Sequence, residues 1–214
     1  MKNTVRYSFF VERNSNVTRL LILNEKKSQA EKFADYLGGM SGEFEGNPYD
    51  IVYAAGHLLQ LNAPNEMVDP NLAAKYADWQ NLDNFPWNPL DLNWSKQVIK
   101  SKQRYIDNIK SNLPGHDVII IASDNDPSGE GDVLGWEIVD YLNWQNEVWR
   151  IRFKGDDSAN YVIDSLHKPE KATVSEQDAQ GILVKGKSRQ RFDFLTGLEE
   201  SRIATELARE QGYS

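Results

Sequence analysis

Residues 119–132 read I-I-I-A-S-D-N-D-P-S-G-E-G-D, and this stretch decides the fold class. An apolar, β-branched run with the length of one buried strand stops abruptly at a group of acids, Asp124, Asp126, Glu130 and Asp132. Like charges this close repel one another, so a cation or a solvent-facing loop must relieve them. Functional groups collect at the carboxyl ends of strands in an open parallel sheet, so the stretch predicts both a central strand and a site.

Further strands and helices alternate around this stretch. Three other short runs have the size and the β-branched or aromatic character of strands, at residues 17–23, 50–55 and 147–153. Helix-like segments separate the strands, at residues 28–37, 95–113 and 130–142. The alternation predicts an α/β fold with a parallel four-stranded sheet flanked by helices on both faces.

Two regions fall outside the alternation. Residues 62–95 are rich in proline and tryptophan and have little periodicity, which predicts an insertion that packs through aromatic anchors. From residue 175 onward the chain is helical in pattern, with a locally basic stretch that contains Lys185, Lys187, Arg189 and Arg191. We therefore expect a sheet domain over residues 1–158, with the insertion at about 62–95, followed by a helical segment over residues 159–214.

Composition excludes several classes of protein. The chain has no cysteine, which removes disulfides, zinc–thiolate sites and thiol catalysis. No apolar run approaches a membrane span, and the first residues lack a signal peptide, so we expect a cytoplasmic protein with no membrane partner. The net charge of -8 argues by itself against nucleic-acid binding, but the local basic charge after residue 175 can reverse that inference.

The first predicted strand is also followed by charged residues, the acid Glu25 and the base Lys26. If the carboxyl ends of the first and third strands are neighbours, then Glu25, Asp124 and Asp126 face one point. Hard carboxylate oxygens suit Mg²⁺ shared with a phosphate, for which Lys26 is a positive donor. The alternative is that both Asp residues cap a turn or helix, which an isolated Asp-x-Asp favours. Glu25 and Lys26 at a second strand end favour the metal site.

Five motifs in collinear order resemble the Toprim domain of type IA DNA topoisomerases, in the topoisomerase III branch. They are N-E-K-K-S-Q-A-E at residues 24–31, A-G-H-L-L-Q-L at 55–61, the acidic loop at 124–130, R-F-K-G at 152–155, and G-K-S-R-Q-R-F-D-F-L-T-G-L-E-E-S-R at 186–202. The last resembles the segment that leads from the Toprim domain into a helical, DNA-contacting domain.

The resemblance implies roles for individual residues. Glu25, Asp124 and Asp126 would hold Mg²⁺, and Glu25 and Lys26 would be catalytic, with Lys26 on the scissile phosphate. Three residues would contact or lie beside single-stranded DNA, namely His57, Arg189 and Asp193. The family's loop reads Asp-x-Asp-Arg-Glu-Gly-Glu, whereas Pro127 and Ser128 stand here in place of Arg-Glu. Either the metal has fewer protein ligands, or Glu130 compensates.

The resemblance implies an N-terminal part of an ATP-independent isomerase that cuts with a tyrosine in a gate domain outside this chain. Its partners would be single-stranded DNA and the remaining gate domains, and the fragment alone would be inactive. Three alternatives remain. A Toprim nuclease or primase would have no reason to carry residues 186–202, and a receiver-like signalling domain would be shorter. A non-catalytic DNA-binding paralogue cannot be distinguished from the sequence.

Overall fold

A computed structural model describes residues 17–124, 127–151, 158–171 and 177–213, of which 170–171 and 177–180 are described by their backbone alone. The strands are β1 (Leu20–Asn24), β2 (Ser41–Phe44), β3 (Asn47–Tyr53), β4 (Leu59–Leu61), β5 (Lys96–Val98), β6 (Val118–Ala122), β7 (Glu147–Arg150) and β8 (Glu170–Lys171). The helices are α1 (Lys27–Leu37), α2 (Pro70–Ala77), α3 (Gln103–Asn112), α4 (Glu130–Tyr141), α5 (Ala159–His167) and α6 (Gln177–Glu210).

The main sheet has six strands in the order β2-β3-β1-β6-β7-β8. The inner four, β3, β1, β6 and β7, run parallel, which confirms the predicted parallel four-stranded sheet. The sequence did not predict the two short edge strands β2 and β8, which pair antiparallel with β3 and β7. In register, Asn24 at the end of β1 lies between Tyr53 of β3 and Ala122 of β6. Three strands therefore end side by side at one edge.

The central strands form the core because both of their faces are covered. Every residue of β1 and of β6 is buried, as expected for apolar runs in a parallel sheet with helices on both sides. One face carries a cluster that includes Ile22, Phe33, Ile120, Trp149 and Val162, contributed by strands together with α1 and α5. Residues 131–139 of α4 are also buried throughout.

One predicted helix is wrong over its first eight residues, 95–102. Residues 95–113 were expected to form a single helix, but Lys96–Val98 form β5, a 3₁₀ turn follows at Lys100–Lys102, and α3 begins only at Gln103. β5 pairs antiparallel with β4 in a separate two-stranded sheet. The helical pattern of residues 95–99 is overridden because pairing with a distant strand satisfies their backbone groups.

The chain divides into two compact units. The sheet unit comprises the chain up to Leu58 and Ile99–Gly186, and the second unit comprises Leu59–Val98 and the chain from Lys187. The second unit has its own hydrophobic cluster, in which Met67, Tyr76, Trp87, Leu92 and Leu195 are buried. Trp87 is thus a packing anchor, as predicted for the insertion. Across the described ranges, no helix is both long and apolar enough to cross a membrane.

Candidate functional site

The ends of β1 and β6 place Glu25, Lys26 and Asp124 at one edge of the sheet. Glu25 and Lys26 form the turn between β1 and α1, and the Lys26 carbonyl accepts the first helical hydrogen bonds, from the N–H groups of Gln29 and Ala30 at 3.1 Å each. The Gln29 side chain folds back and accepts a hydrogen bond from the Glu25 N–H at 3.1 Å. The start of α1 is therefore tied to the strand end that carries Glu25.

Asp124 meets this turn from the neighbouring strand. Its Oδ2 lies 3.5 Å from Lys26 Nζ, and its Oδ1 accepts a hydrogen bond from Gln29 Nε2 at 3.2 Å. The side chains of Lys26 and Asp124 are each 53% exposed, so the pair is open to solvent and can exchange partners at little cost. The structure thus brings two predicted site residues together, with Glu25 next to them in the chain.

A buried arginine fixes the loop that carries Asp124. Arg150, the last residue of β7, is 1% exposed, and its Nε donates to Asp132 Oδ1 at 3.0 Å. Its Nη groups donate to four backbone carbonyls, those of Ile121, Ser123, Ile151 and Asp124. One guanidinium therefore satisfies the carbonyl groups at the end of β6 and pairs with a carboxylate in the first turn of α4.

His57 lies between two glutamates of α4. Its Nε2 is 3.4 Å from Glu130 Oε1, and its Nδ1 is 3.5 Å from Glu137 Oε2, a charge contact with poor hydrogen-bond alignment. Glu137 and, to a smaller extent, Glu130 raise the pKa of His57 above its ordinary 6.5, against burial, which lowers it. His57 is predicted to contact DNA, and that role stays a prediction.

Three of the four crowded acids of residues 119–132 face basic side chains of the protein itself. Asp124 faces Lys26, Glu130 faces His57, and Asp132 faces Arg150. Asp126 lies outside the described residues. The sequence analysis leaves open whether Glu130 replaces the missing loop carboxylate as a metal ligand. In the structure the Glu130 carboxylate lies beside His57.

Two glycines bring backbone close to this loop. A Cβ on Gly131 would lie 2.0 Å from the Asp124 carbonyl oxygen, so only glycine allows α4 to begin this close to the end of β6. Gly129, at φ +80°, precedes α4 in the left-handed conformation, where a Cβ would lie 2.5 Å from the Ile182 carbonyl oxygen. Lys185 Nζ also donates to the Pro127 carbonyl at 2.6 Å. Close backbone approaches at the two glycines and one hydrogen bond from Lys185 therefore hold the acidic loop.

The donor chemistry at the sheet edge fits a hard cation such as Mg²⁺. The carboxylates of Glu25 and Asp124 supply oxygen ligands, and the Glu25 carboxylate has no hydrogen-bond or ion-pair partner in the part of the chain that the structure describes. Asn24 is fully buried, yet neither atom of its amide has a partner among those residues. Buried amides normally have partners, so a water or an ion would complete this end of β1.

No group of three acids or histidines with metal-site geometry occurs among the described residues, which exclude Asp126. A cation bound by Glu25 and Asp124 would therefore keep several waters, as Mg²⁺ does in proteins.

The other two predicted site residues lie in the second unit, on α6. Arg189 Nε is 3.4 Å from Asp193 Oδ2, and their side chains are 58% and 60% exposed. This i,i+4 pair is weak and open to solvent, so Arg189 can exchange the carboxylate for another anion. The R-F-K-G motif at residues 152–155 lies outside the described residues.

Sequence reasoning missed Arg150 and Gln29. Gln29 lies in the quoted motif of residues 24–31, three positions after Lys26, so a first-turn contact could have been anticipated. Arg150 has a weaker signal, a cation with apolar neighbours on either side in a strand, Trp149 and Ile151, which predicts a buried charge with a partner.

Comparisons with known proteins match the part of the chain that contains the parallel strands of the main sheet. The sequence model of the Toprim domain family matches residues 20–154. DNA topoisomerase 3 of Bacillus cereus is 27% identical over 193 residues, which cover 88% of this chain and 25% of that protein. DNA topoisomerase 1 of Alkalihalophilus pseudofirmus is 26% identical over 200 residues, covering 89% of this chain and 26% of that protein. The chain spans about a quarter of the length of these curated relatives.

Proposed function

The chain belongs to the Toprim domain family, and on that premise we propose that it is the metal-binding, DNA-contacting part of a type IA DNA topoisomerase. The whole enzyme would break and rejoin single-stranded DNA through a tyrosine outside this chain, and its other gate domains would be partners of this part. The observation that carries the proposal is the approach of Lys26 Nζ to Asp124 Oδ2, at 3.5 Å, across the adjoining ends of β1 and β6.

This geometry provides both signs of charge that a phosphodiester site needs. Lys26 is half-exposed, so its ammonium group can leave Asp124 for a phosphate oxygen without a large desolvation cost. Glu25 and Asp124, with Asp126 added from the sequence, would hold the Mg²⁺. When bound, the ion would supply positive charge to the phosphate during cleavage and religation. Gln29 would keep Glu25 and Asp124 in place, since it bonds to both residues.

The metal site can be tested by titrating the 214-residue chain with Mn²⁺ as a paramagnetic substitute for Mg²⁺. Loss of an outer-shell partner of a metal site costs roughly 10- to 100-fold in metal affinity. Because Asp124 would be a direct ligand, we expect Asp124→Asn to weaken Mn²⁺ binding by at least that much. Asp164→Asn is the matched control, because Asp164 is an exposed acid on α5 of the same unit. Asp126→Asn tests the ligand that only the sequence places here. Unchanged Mn²⁺ affinity in both site variants would refute the metal site.

DNA contact on α6 needs a separate test. Replacing Arg189 by Gln should weaken the binding of a single-stranded oligonucleotide uniformly across sequences and lower the salt dependence by about one phosphate contact. Arg209→Gln is the control, since Arg209 lies on the same helix and is paired with Glu206 in the same local way. Equal salt dependence in the Arg189→Gln and Arg209→Gln chains would remove Arg189 from the DNA-contacting surface.

A further inference from the structure

A groove of about 630 Å³ opens beside the carboxyl half of β3, and its lining includes Lys27, Ile51, Val52, Tyr53, Arg104 and Tyr105. We call it the Tyr53–Tyr105 groove. It exists because β2 pairs with β3 only as far as Asp50, so Val52 and Tyr53 lie beyond the last antiparallel pair. Apolar strand residues, aromatic rings and a few charged groups together are the usual lining of a ligand site.

The aromatic rings of this groove form a supported surface. The centroids of Tyr53 and Tyr105 are 6.1 Å apart, with an angle of 59° between the ring planes. The Arg104 guanidinium lies 4.7 Å from the centre of the Tyr105 ring and donates a hydrogen bond to the Tyr105 hydroxyl at 2.8 Å. Half-buried rings and a guanidinium plane are surfaces on which nucleic-acid bases stack, whatever the sequence of the strand.

Charge around the groove favours an anionic ligand. Its lining includes the cations Lys27 and Arg104 and, among the described residues, no acid, in a chain whose net charge is -8. The Lys27 ammonium group at the groove lies 3.1 Å from Glu31, an exposed and therefore weak pair. Lys27 also follows Lys26 directly in the chain. The groove is therefore lined by the residue that follows the proposed phosphate ligand, Lys26.

We propose that the Tyr53–Tyr105 groove binds a base of single-stranded DNA next to the phosphate held by Lys26. Tyr53 and Tyr105 stack on the base, while Lys27 and Arg104 contact the flanking phosphates. The inference rests on the proposed function, because it takes the strand to lie at the carboxyl edge of the sheet. It adds a subsite that neither the acidic loop nor α6 provides.

The test measures binding of an oligothymidylate of about 12 nucleotides to the 214-residue chain in EDTA, so that no metal contributes. Tyr105→Ala should weaken binding roughly 5- to 100-fold, while Tyr105→Phe should bind nearly as the parent does, because stacking needs the ring and not the hydroxyl. Arg104→Gln should lower the slope of log affinity against log salt by about 0.7. Tyr141→Ala is the control, since Tyr141 is 47% exposed at the end of α4.

A second measurement keeps the test independent of folding defects. An oligonucleotide carrying bromouracil is irradiated with the unmodified chain, and mass spectrometry locates the cross-link, expected at Tyr53 or Tyr105. Cross-links only elsewhere, or unchanged binding by Tyr105→Ala, would overturn the groove. Binding of thymidine monophosphate as tightly as the oligonucleotide would overturn the assignment to a strand. If Arg189→Gln weakens binding while Tyr105→Ala does not, the groove fails and the DNA contact of the proposed function stands. No oligonucleotide binding at all refutes both.

Discussion

Arg150 shows how one buried side chain organises the acidic loop. Its guanidinium pairs with Asp132, whose side chain is 5% exposed, so both charges are withdrawn from water. Such a pair is costly to form, and removing one partner leaves the other charge uncompensated. By contrast, the Lys26–Asp124 pair is half-exposed and contributes little to stability, which leaves both groups available to a ligand.

We expect Arg150→Gln to lower the free energy of unfolding by about 3–5 kcal/mol, because Asp132 loses its cation and four carbonyls lose donors. Chemical denaturation measures this loss. Arg189→Gln is the matched control, since its i,i+4 pair is exposed and should change stability by about 0.5 kcal/mol or less. A loss below 1 kcal/mol in the Arg150→Gln chain would be about the size of a surface pair and would contradict the buried network.

His57 makes the stability of the sheet unit depend on pH. Since Glu137 and Glu130 raise its folded-state pKa above 6.5, the protonated form is favoured by folding. Its stabilisation is complete below the unfolded pKa of 6.5 and is lost as the pH rises through the folded pKa. The stability difference between the parent chain and His57→Gln should therefore shrink between about pH 6 and pH 9. Denaturation at both pH values measures it; a difference that grows with pH would have the wrong sign.

At the scale of elements, α4 and α6 meet at glycines. A Cβ on Gly186 of α6 would lie 2.5 Å from Val133 Cγ2 and 2.7 Å from the Gly129 carbonyl oxygen. A carbonyl at the start of a buried helix cannot move without disturbing the loop before it. Glycine at position 186 therefore allows this close packing, although glycine weakens a helix interior by about 1 kcal/mol relative to alanine.

Alanine at two of the three glycines of α6, Gly186 and Gly197, should have opposite effects. Gly186→Ala should destabilise the chain by about 1–3 kcal/mol, because overpacking exceeds the gain in helix propensity. Gly197→Ala, on the same helix but with open space around its Cβ position, should stabilise by up to about 1 kcal/mol. Thermal melts of the two variants compare them directly. Stabilisation by both would show that α6 does not pack closely at Gly186.

Each of the two units has a hydrophobic core among its described residues. In the second unit, Tyr76 is stacked on Trp87 and donates a hydrogen bond to Asp91 at 2.8 Å. Burial first, and then the Asp91 carboxylate, raise the pKa of Tyr76 to about 12. A phenol held neutral in this way is a packing residue and a poor nucleophile, since a nucleophilic hydroxyl needs a lowered pKa or an adjacent base.

We expect the 214-residue chain alone neither to cleave nor to relax negatively supercoiled plasmid DNA, with Mg²⁺ present. The proposal places the cleaving tyrosine outside this chain, and covalent catalysis requires that nucleophile beside the phosphate. Gel electrophoresis of the plasmid measures relaxation, and Mn²⁺ binding by the same sample controls for a folded site. Relaxed plasmid that appears in a dose-dependent way would show that a tyrosine within the chain is the nucleophile.

The sequence by itself determined the parallel four-stranded core, α4 and the edge of the sheet that the residues after β1 and β6 share, because these follow from local patterns. Buried β-branched runs make strands, and the ends of neighbouring parallel strands share one edge. Only the tertiary structure decided the partners that lie far apart in the chain. In the sequence, Arg150 has apolar residues on either side and no visible partner. In the fold, β7 lies beside β6, and the Arg150 guanidinium donates hydrogen bonds to the start of the acidic loop. Lys96–Val98 likewise has a helical pattern, and pairing with β4 makes it a strand. Burial and pairing between distant residues outweigh local propensity, so no local pattern could reveal them.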